Sequence, residues 1–272
     1  MSFEASQKKF EGKNGTIRDL DTTEAYDRWS EVYDTDGNFL QALDSIEMSS
    51  LLPQLLEENA PLFPLKIVDL GCGTGRSTQR LLSIPEATII GLDASPRMLE
   101  IAKTKLSKTD LTGIKSLDFS LYNMLVDSNP PSCALNADAV ISTLVLEHIP
   151  LPRFFQVVHQ ILKPGGIALI TNMHSDMGRT SQAGFVDPSS GVKIRPQSYV
   201  HRLPNVLEEA AIQGFDFVGD AIQRCVDEEM ISELGARAKK WIGVTVWFGF
   251  LIRKIPQDES VWRDIVERKQ SE

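Results

Sequence analysis

The chain has 272 residues, 42% of them hydrophobic, which suits one large domain with insertions or two small ones at roughly 150 residues each and excludes wholesale disorder. Its 28 Lys and Arg face 37 Asp and Glu, a formal charge of −9, with no basic run to follow a phosphate backbone, so a nucleic-acid partner is not expected. The longest apolar run, Ile242 to Ile252, has 11 residues where a spanning helix needs ~20; the first residues lack a secretory apolar stretch; and the scattered Cys72, Cys133 and Cys225 encode neither a disulfide framework nor a zinc site. A reduced cytoplasmic protein without membrane contact is expected.

Residues 1–22 are polar and read as a mobile N-terminal segment, ahead of one domain over 23–272. Residues 23–60 place Trp29, Tyr33, Phe39, Leu40, Leu43 and Ile46 at roughly helical spacings, which predicts a helical cap. Leu65 to Leu70 reads as a strand ending in Gly71, and Thr74 to Leu82 as a helix. Ala87 to Leu92 repeats the strand signal, and Ser95-Pro96 opens a helix to Leu106, with serine as N-cap and proline at the first helical position. Strands are predicted at Leu117 to Tyr122, Ala137 to Thr143 and Ile167 to Met173, with a helix over Leu151 to Leu162. This alternation predicts a doubly wound α/β sheet, mostly parallel. Residues 174–200 are irregular, Gly- and Pro-bearing and long for a connection, as lid-like insertions are. A helix over Val200 to Gln213, a strand over Phe215 to Val226, a helix over Asp227 to Trp241 and a strand over Val244 to Lys254 complete the chain.

The stretch Val68-Asp69-Leu70-Gly71-Cys72-Gly73-Thr74-Gly75 carries the chemistry. Its glycines let the backbone turn sharply and approach a ligand, and the helix behind them points unpaired N–H groups at an anion. Asp93 lies 22 positions after Gly71, at the end of the next strand, where a carboxylate accepts from two ribose hydroxyls. A nucleoside ligand follows. The spacing Gly-x-Gly-x-Gly departs from the Gly-x-Gly-x-x-Gly of dinucleotide folds, and no Tyr-x-x-x-Lys pair serves hydride chemistry, which counts against a nicotinamide dehydrogenase.

This stretch resembles the first motif of the class I S-adenosylmethionine-dependent methyltransferases. IIGLDASPRMLEIAK (Ile89 to Lys103), DAVISTLVLEHI (Asp138 to Ile149) and LKPGGIALIT (Leu162 to Thr171) are similar to that family's later segments, in order over Lys66 to Met173. The resemblance implies a Rossmann-like seven-stranded sheet with an antiparallel C-terminal strand, S-adenosyl-L-methionine as cofactor, and a small-molecule acceptor. It implies further that Asp69, Gly71, Gly73 and Gly75 line the methionine end, that Asp93 holds the ribose, and that Ala94 and Met98 border the adenine. Asn123 stands where many members carry an acid, and Thr143 and Leu144 close the pocket. Glu24 to Leu40 is similar to the cap of small-molecule methyltransferases, including those of fungal natural-product pathways, and from this cap segment comes the expectation of a secondary-metabolism enzyme acting on gliotoxin-like dithiols; a monomer is expected.

Tyr26, Trp29 and Tyr33 offer aromatic faces to a sulfonium cation, or form a plain core stripe. His148 and His174 follow strands where a general base acts, or are satisfied polar residues at turns. Cys72 reads as a small residue filling the turn. Because a thiol of pKa ~8.5 ionises partly at neutral pH, the lack of an evident base favours S- or N-methylation over O-methylation. His148, His159, His174 and His201 show no ligand-spaced pair, so no metal is expected. A cofactor-binding protein without turnover is the non-enzymatic alternative.

Overall fold

Strands buried on both faces must be apolar at nearly every position, and the runs around Ile67-Val68 and Val140-Ile141 meet that demand. The computed structural model describes residues 17–59 and 63–256. The chain runs β1 (Ile17–Leu20), α1 (Thr22–Trp29), α2 (Phe39–Asn59), β2 (Lys66–Leu70), α3 (Arg76–Leu81), β3 (Thr88–Asp93), α4 (Pro96–Leu106), β4 (Ser116–Leu121), β5 (Ala137–Thr143), α5 (Leu151–Ile161) and β6 (Leu162–Met173). It continues through α6 (Ser175–Gly178), β7 (Phe185–Val186), β8 (Lys193–Pro196), α7 (Leu203–Ile212), β9 (Phe215–Cys225), α8 (Ile231–Leu234) and β10 (Thr245–Lys254).

Seven strands form one sheet in the order β4-β3-β2-β5-β6-β10-β9. It is parallel except at β10, which runs against both neighbours. This is the expected doubly wound, Rossmann-like sheet with its antiparallel C-terminal strand. Strand order reverses between β2 and β5, which opens a crevice outside their carboxyl ends. The side-chain period of two sends Ile67, Ile141 and Leu169 to one face, under α2, and Val68, Val140 and Ile170 to the other, with Phe154 and Phe155 of α5. At α4 the Ser95 hydroxyl accepts from the Met98 N–H at 3.1 Å, with Pro96 opening the helix. Such a cap is worth about 1 kcal/mol.

Three segments differ from the sequence reading. The helix expected over Asp227 to Trp241 breaks into α8 and a 3-10 turn, Ala236–Trp241, because Gly235 between them sits at φ +82°, outside helical space. β6 starts at Leu162, since Leu162 already pairs with Ala137 of β5, and Lys-Pro-Gly-Gly forms an irregularity in the ladder before Ile167 pairs with Ala139. Residues 17–20, assigned to a mobile segment, form β1, which pairs in parallel with β8; β7 completes a small second sheet. Residues 1–16 of that segment lie outside the described residues. Arg195 fastens this pairing through Asp19 at 3.0 Å, and Trp29 and Ala25 of α1 pack with Phe185 and Ile194. The cap and the residue 174–200 insertion therefore form one body over the crevice.

Candidate active site

Two cavities open at the carboxyl end of the sheet and share Tyr26, Tyr33 and Leu144 as a common wall. The first, of about 710 Å³, is built on the loop between β2 and α3. Gly71 and Gly73 stand at φ +80° and +54°; a Cβ on Gly71 would meet Val145 at 2.3 Å, whereas Gly73 faces open space. The Gly71 and Cys72 amides both donate to the Leu92 carbonyl, at 2.7 and 2.9 Å, which locks this loop to the end of β3. Asp93, the last residue of β3, accepts from the Gly73 amide (2.8 Å) on one oxygen and from the Ser95 amide (2.8 Å) on the other. The two bonds fix the carboxylate and leave it further lone pairs for the cavity. Burial raises its pKa, and these two amides act against that rise.

S-adenosyl-L-methionine fits this cavity on several observations. A backbone glycine faces open space, an oriented carboxylate lines the wall, and the buried Thr22 and Tyr122 hydroxyls that also line it have no partner in the protein. Buried polar atoms are usually satisfied, so two orphaned hydroxyls on one cavity wall suit a polar ligand. Ala94, Asn123, Thr143 and Leu144 line the same space. Asn123 donates to the Thr23 hydroxyl at 3.2 Å, which joins the cavity floor to the start of α1. Leu144 holds φ +57°, a strained conformation for a leucine, at the partition between the cavities.

Asp69, Gly75 and Met98, assigned to the cofactor by the sequence, do not line the cavity. Asp69 is wholly buried behind the loop, where one oxygen accepts from the Thr78 hydroxyl at 2.6 Å and the other has no partner; burial pushes its pKa up to about 7. Gly75 turns toward α4, where a Cβ would meet Leu106 and Ala102 at 3.1 and 3.3 Å. Met98 is buried in α4. Cys72 is buried and its thiol is pushed up by that burial, in keeping with a turn-filling role.

The second cavity, of about 810 Å³, lies between α1, the end of β6 and the insertion. Trp29 stands edge-on to Tyr33 at 5.3 Å between ring centroids and stacks on Phe185 at 5.1 Å, and its indole N–H donates to Asp36 at 2.9 Å. Polar ties hold the cap down, among them Thr74 donating to Asp34 (2.6 Å), Ser95 to Asp27 (2.5 Å), and Arg76 to Asp44 of α2 (2.7 Å).

Both histidines expected as bases are engaged. His148 faces the Gln197 carbonyl through Nδ1 at 2.7 Å and the Tyr26 hydroxyl through Nε2 at 2.8 Å. A carbonyl only accepts, so Nδ1 carries the proton and the neutral ring's Nε2 accepts from Tyr26. Burial raises the Tyr26 phenol well above its ordinary value, which keeps that proton in place. His174 lines neither cavity: its Nδ1 accepts from the Asp176 amide at 3.1 Å and caps α6.

Glu147 is the residue that sequence reasoning missed. It sits in the 3-10 turn Leu146–His148 after β5, 4% exposed, on the wall of the second cavity. Oε1 stays 3.8 Å from the His148 ring and Oε2 has no partner at all. Burial raises its pKa, with a backbone hydrogen bond from Met173 acting against the rise. An acid beside a histidine just past the strand was the available signal. Among the described residues no group of three His, Cys, Asp or Glu is arranged to hold a metal ion, and no helix is long and apolar enough to cross a membrane.

Known proteins agree with this geometry. A family model described as a methyltransferase domain matches residues 67–166. An uncharacterized methyltransferase of Emericella nidulans is 48% identical over 260 residues, spanning 86% of this chain and 91% of its own length. Trans-aconitate 2-methyltransferase of Methylobacterium radiotolerans is 31% identical over 157 residues, 54% of each chain. Among solved structures, the DhpI–SAH complex shares the fold with a TM-score of 0.54 at 19% identity, over 87% of this chain and 96% of that one.

Proposed function

Since the chain belongs to the S-adenosylmethionine-dependent methyltransferases, we propose that it methylates a small molecule held in the second cavity, at an N–H or O–H group that faces Glu147. The carrying observation is the buried Glu147 carboxyl with an unpartnered oxygen, on a chamber that shares a wall with the nucleoside cavity. Bound S-adenosyl-L-methionine would supply a methyl group already activated on a positive sulfur, for transfer to the acceptor's lone pair with the sulfide as leaving group. Gly73, Asp93, Tyr122 and Thr22 would hold the nucleoside part. Tyr26 and Tyr33, at the junction of the two cavities, would offer aromatic faces to the sulfonium, worth about 0.5–2 kcal/mol once desolvated. Glu147 takes the proton that the acceptor releases; a carboxylate lifted toward the working pH is the better base. His148 positions Tyr26 through its hydrogen bond.

S-methylation of a gliotoxin-like thiol is the second reading, supported by the aromatic and thioether wall of Trp29, Phe39, Met173 and Met177. It rests on the likeness of the cap segment; the want of an evident base in the sequence favours S- or N-methylation over O-methylation, and Glu147 supplies that base. The three cysteines are free, in support of a cytoplasmic setting; a monomer in secondary metabolism completes the proposal. A panel of matched amines, alcohols and thiols with radiolabelled cofactor tests it. Transfer to amines or alcohols is expected, and turnover confined to thiols at a rate following the thiol's own ionisation moves the assignment to the second reading.

A further inference from the structure

The acceptor chamber is acidic at its inner wall and basic at its rim, in a chain whose formal charge is −9. Lys193 of β8 and Arg237 and Lys240 of the 3-10 turn line it, all three exposed, while Glu147 is buried. Among the described residues none of the three has a carboxylate partner. Arg237 donates to the Asp36 carbonyl through one nitrogen, and Lys240 lies over the Trp241 ring, 5.1 Å from its centroid.

Trp241 is the second, independent observation. Its ring lines the chamber and stacks on Phe39 at 6.3 Å, it is 6% exposed, and its indole nitrogen is buried with no hydrogen-bond partner. An indole N–H only donates. Its missing partner is therefore an acceptor, and Lys240 over its ring, with Lys193 and Arg237 lining the same chamber, favours an anionic one. A planar guanidinium and two ammonium groups match a carboxylate, and a charged acceptor makes the stronger bonds.

We propose that the methyl acceptor is a small acid, whose carboxylate is seated by Arg237, Lys240, Lys193 and the Trp241 N–H while its methyl-accepting atom faces Glu147. This rests on the second cavity being the acceptor site. The two unpartnered polar groups of the chamber then take opposite roles: Trp241 donates to the anchoring end and Glu147 accepts at the reacting end. Acids are thereby selected over neutral analogues of the same shape, which leave three cations without a counter-charge.

The test is calorimetric titration of the full chain, saturated with S-adenosylhomocysteine, using 4-hydroxyphenylacetate and its neutral amide as probes. The acid is expected to bind at least tenfold tighter than the amide. That preference should collapse in the triple variant Lys193→Gln, Arg237→Gln, Lys240→Gln and should shrink as salt rises. If the triple variant does not fold, the double variant Lys193→Gln, Lys240→Gln, which removes neither Arg237 nor its bond to Asp36, carries the same comparison. Equal affinity for acid and amide, a preference unchanged in the variant, or no binding of the acid each overturn the carboxylate seat. Ala183→Trp, which fills the chamber, separates this from the reading beneath it: it should abolish acid binding, and acid binding that survives it removes the chamber as the acceptor site.

Discussion

The two cavities meet at Tyr26, Tyr33 and Leu144 but are built in opposite ways. The nucleoside cavity is local. Its glycine loop and Asp93 lie at the ends of the adjacent strands β2 and β3, and backbone amides orient the carboxylate. The acceptor chamber draws on α1, the turn after β5, the insertion and the 3-10 turn before β10, segments more than two hundred residues apart at the extremes. A cavity made from backbone geometry tolerates few alternatives, whereas one made from side chains on connecting segments is free to change its ligand while the sheet stays fixed. The same contrast holds for charge: the carboxyl of the first cavity is bonded on both oxygens, and that of the second is left open on one.

Substitutions on either side should sharpen or break this division. The largest effect is expected on the acceptor side, where Glu147→Gln should lower kcat ~10²–10⁴-fold, the range of a lost general base, with cofactor affinity by calorimetry retained. In the wild type, turnover should rise with pH through a pKa above that of an ordinary glutamate, because burial raises it, and the Gln variant should lose that limb. A loss of cofactor binding in Glu147→Gln would dissolve the distinction between the two cavities.

On the nucleoside side, Asp93→Ala should weaken cofactor binding by about 1.5–3 kcal/mol, the scale of hydrogen bonds to a charged group, with the fold intact by circular dichroism. Unchanged affinity in a folded variant would remove the ribose role.

Asp69 tests whether the acid behind the loop acts on stability rather than on the ligand. Burial pushes its pKa up to about 7 in the fold, above the ordinary aspartate value of 3.8, so the native state keeps the proton longer than the unfolded chain. Its contribution is fully present below about pH 3.8 and is lost as pH rises through about 7. Wild-type Tm should therefore fall across that window more steeply than the Tm of Asp69→Asn. Parallel curves for the two proteins would show that Asp69 ionises normally.

The smallest effect is expected at His148. Both ring nitrogens are engaged, so His148→Gln should cost less than about tenfold in kcat, under the ~10²–10⁴-fold of a true base. A collapse beyond a hundredfold with cofactor affinity preserved would transfer the base role from Glu147 to His148.

Period-two burial, turn residues and the Ser95-Pro96 cap act within a few neighbours, and so the sheet strands, α4, α5 and α7 were legible in one dimension. Gly71, Gly73 and Asp93 were legible for the same reason: a glycine loop and an acid at the next strand's end lie within one β-α-β unit. Asp69 and Gly75 share that loop, and their sequence context carries no sign that one turns behind it and the other onto α4. His148 and His174 looked like bases because a sequence shows which groups titrate and hides which are already bonded. The four-residue β1 has no apolar period, and its partner β8 lies beyond residue 190, so only tertiary pairing creates it. The sequence by itself determined the parallel sheet, its chain reversal and the nucleoside end, because those depend on local pattern and backbone freedom. Only the tertiary structure decided that Glu147, Trp241 and three cations share one chamber, because burial and the want of a partner are properties of groups that meet from distant parts of the chain.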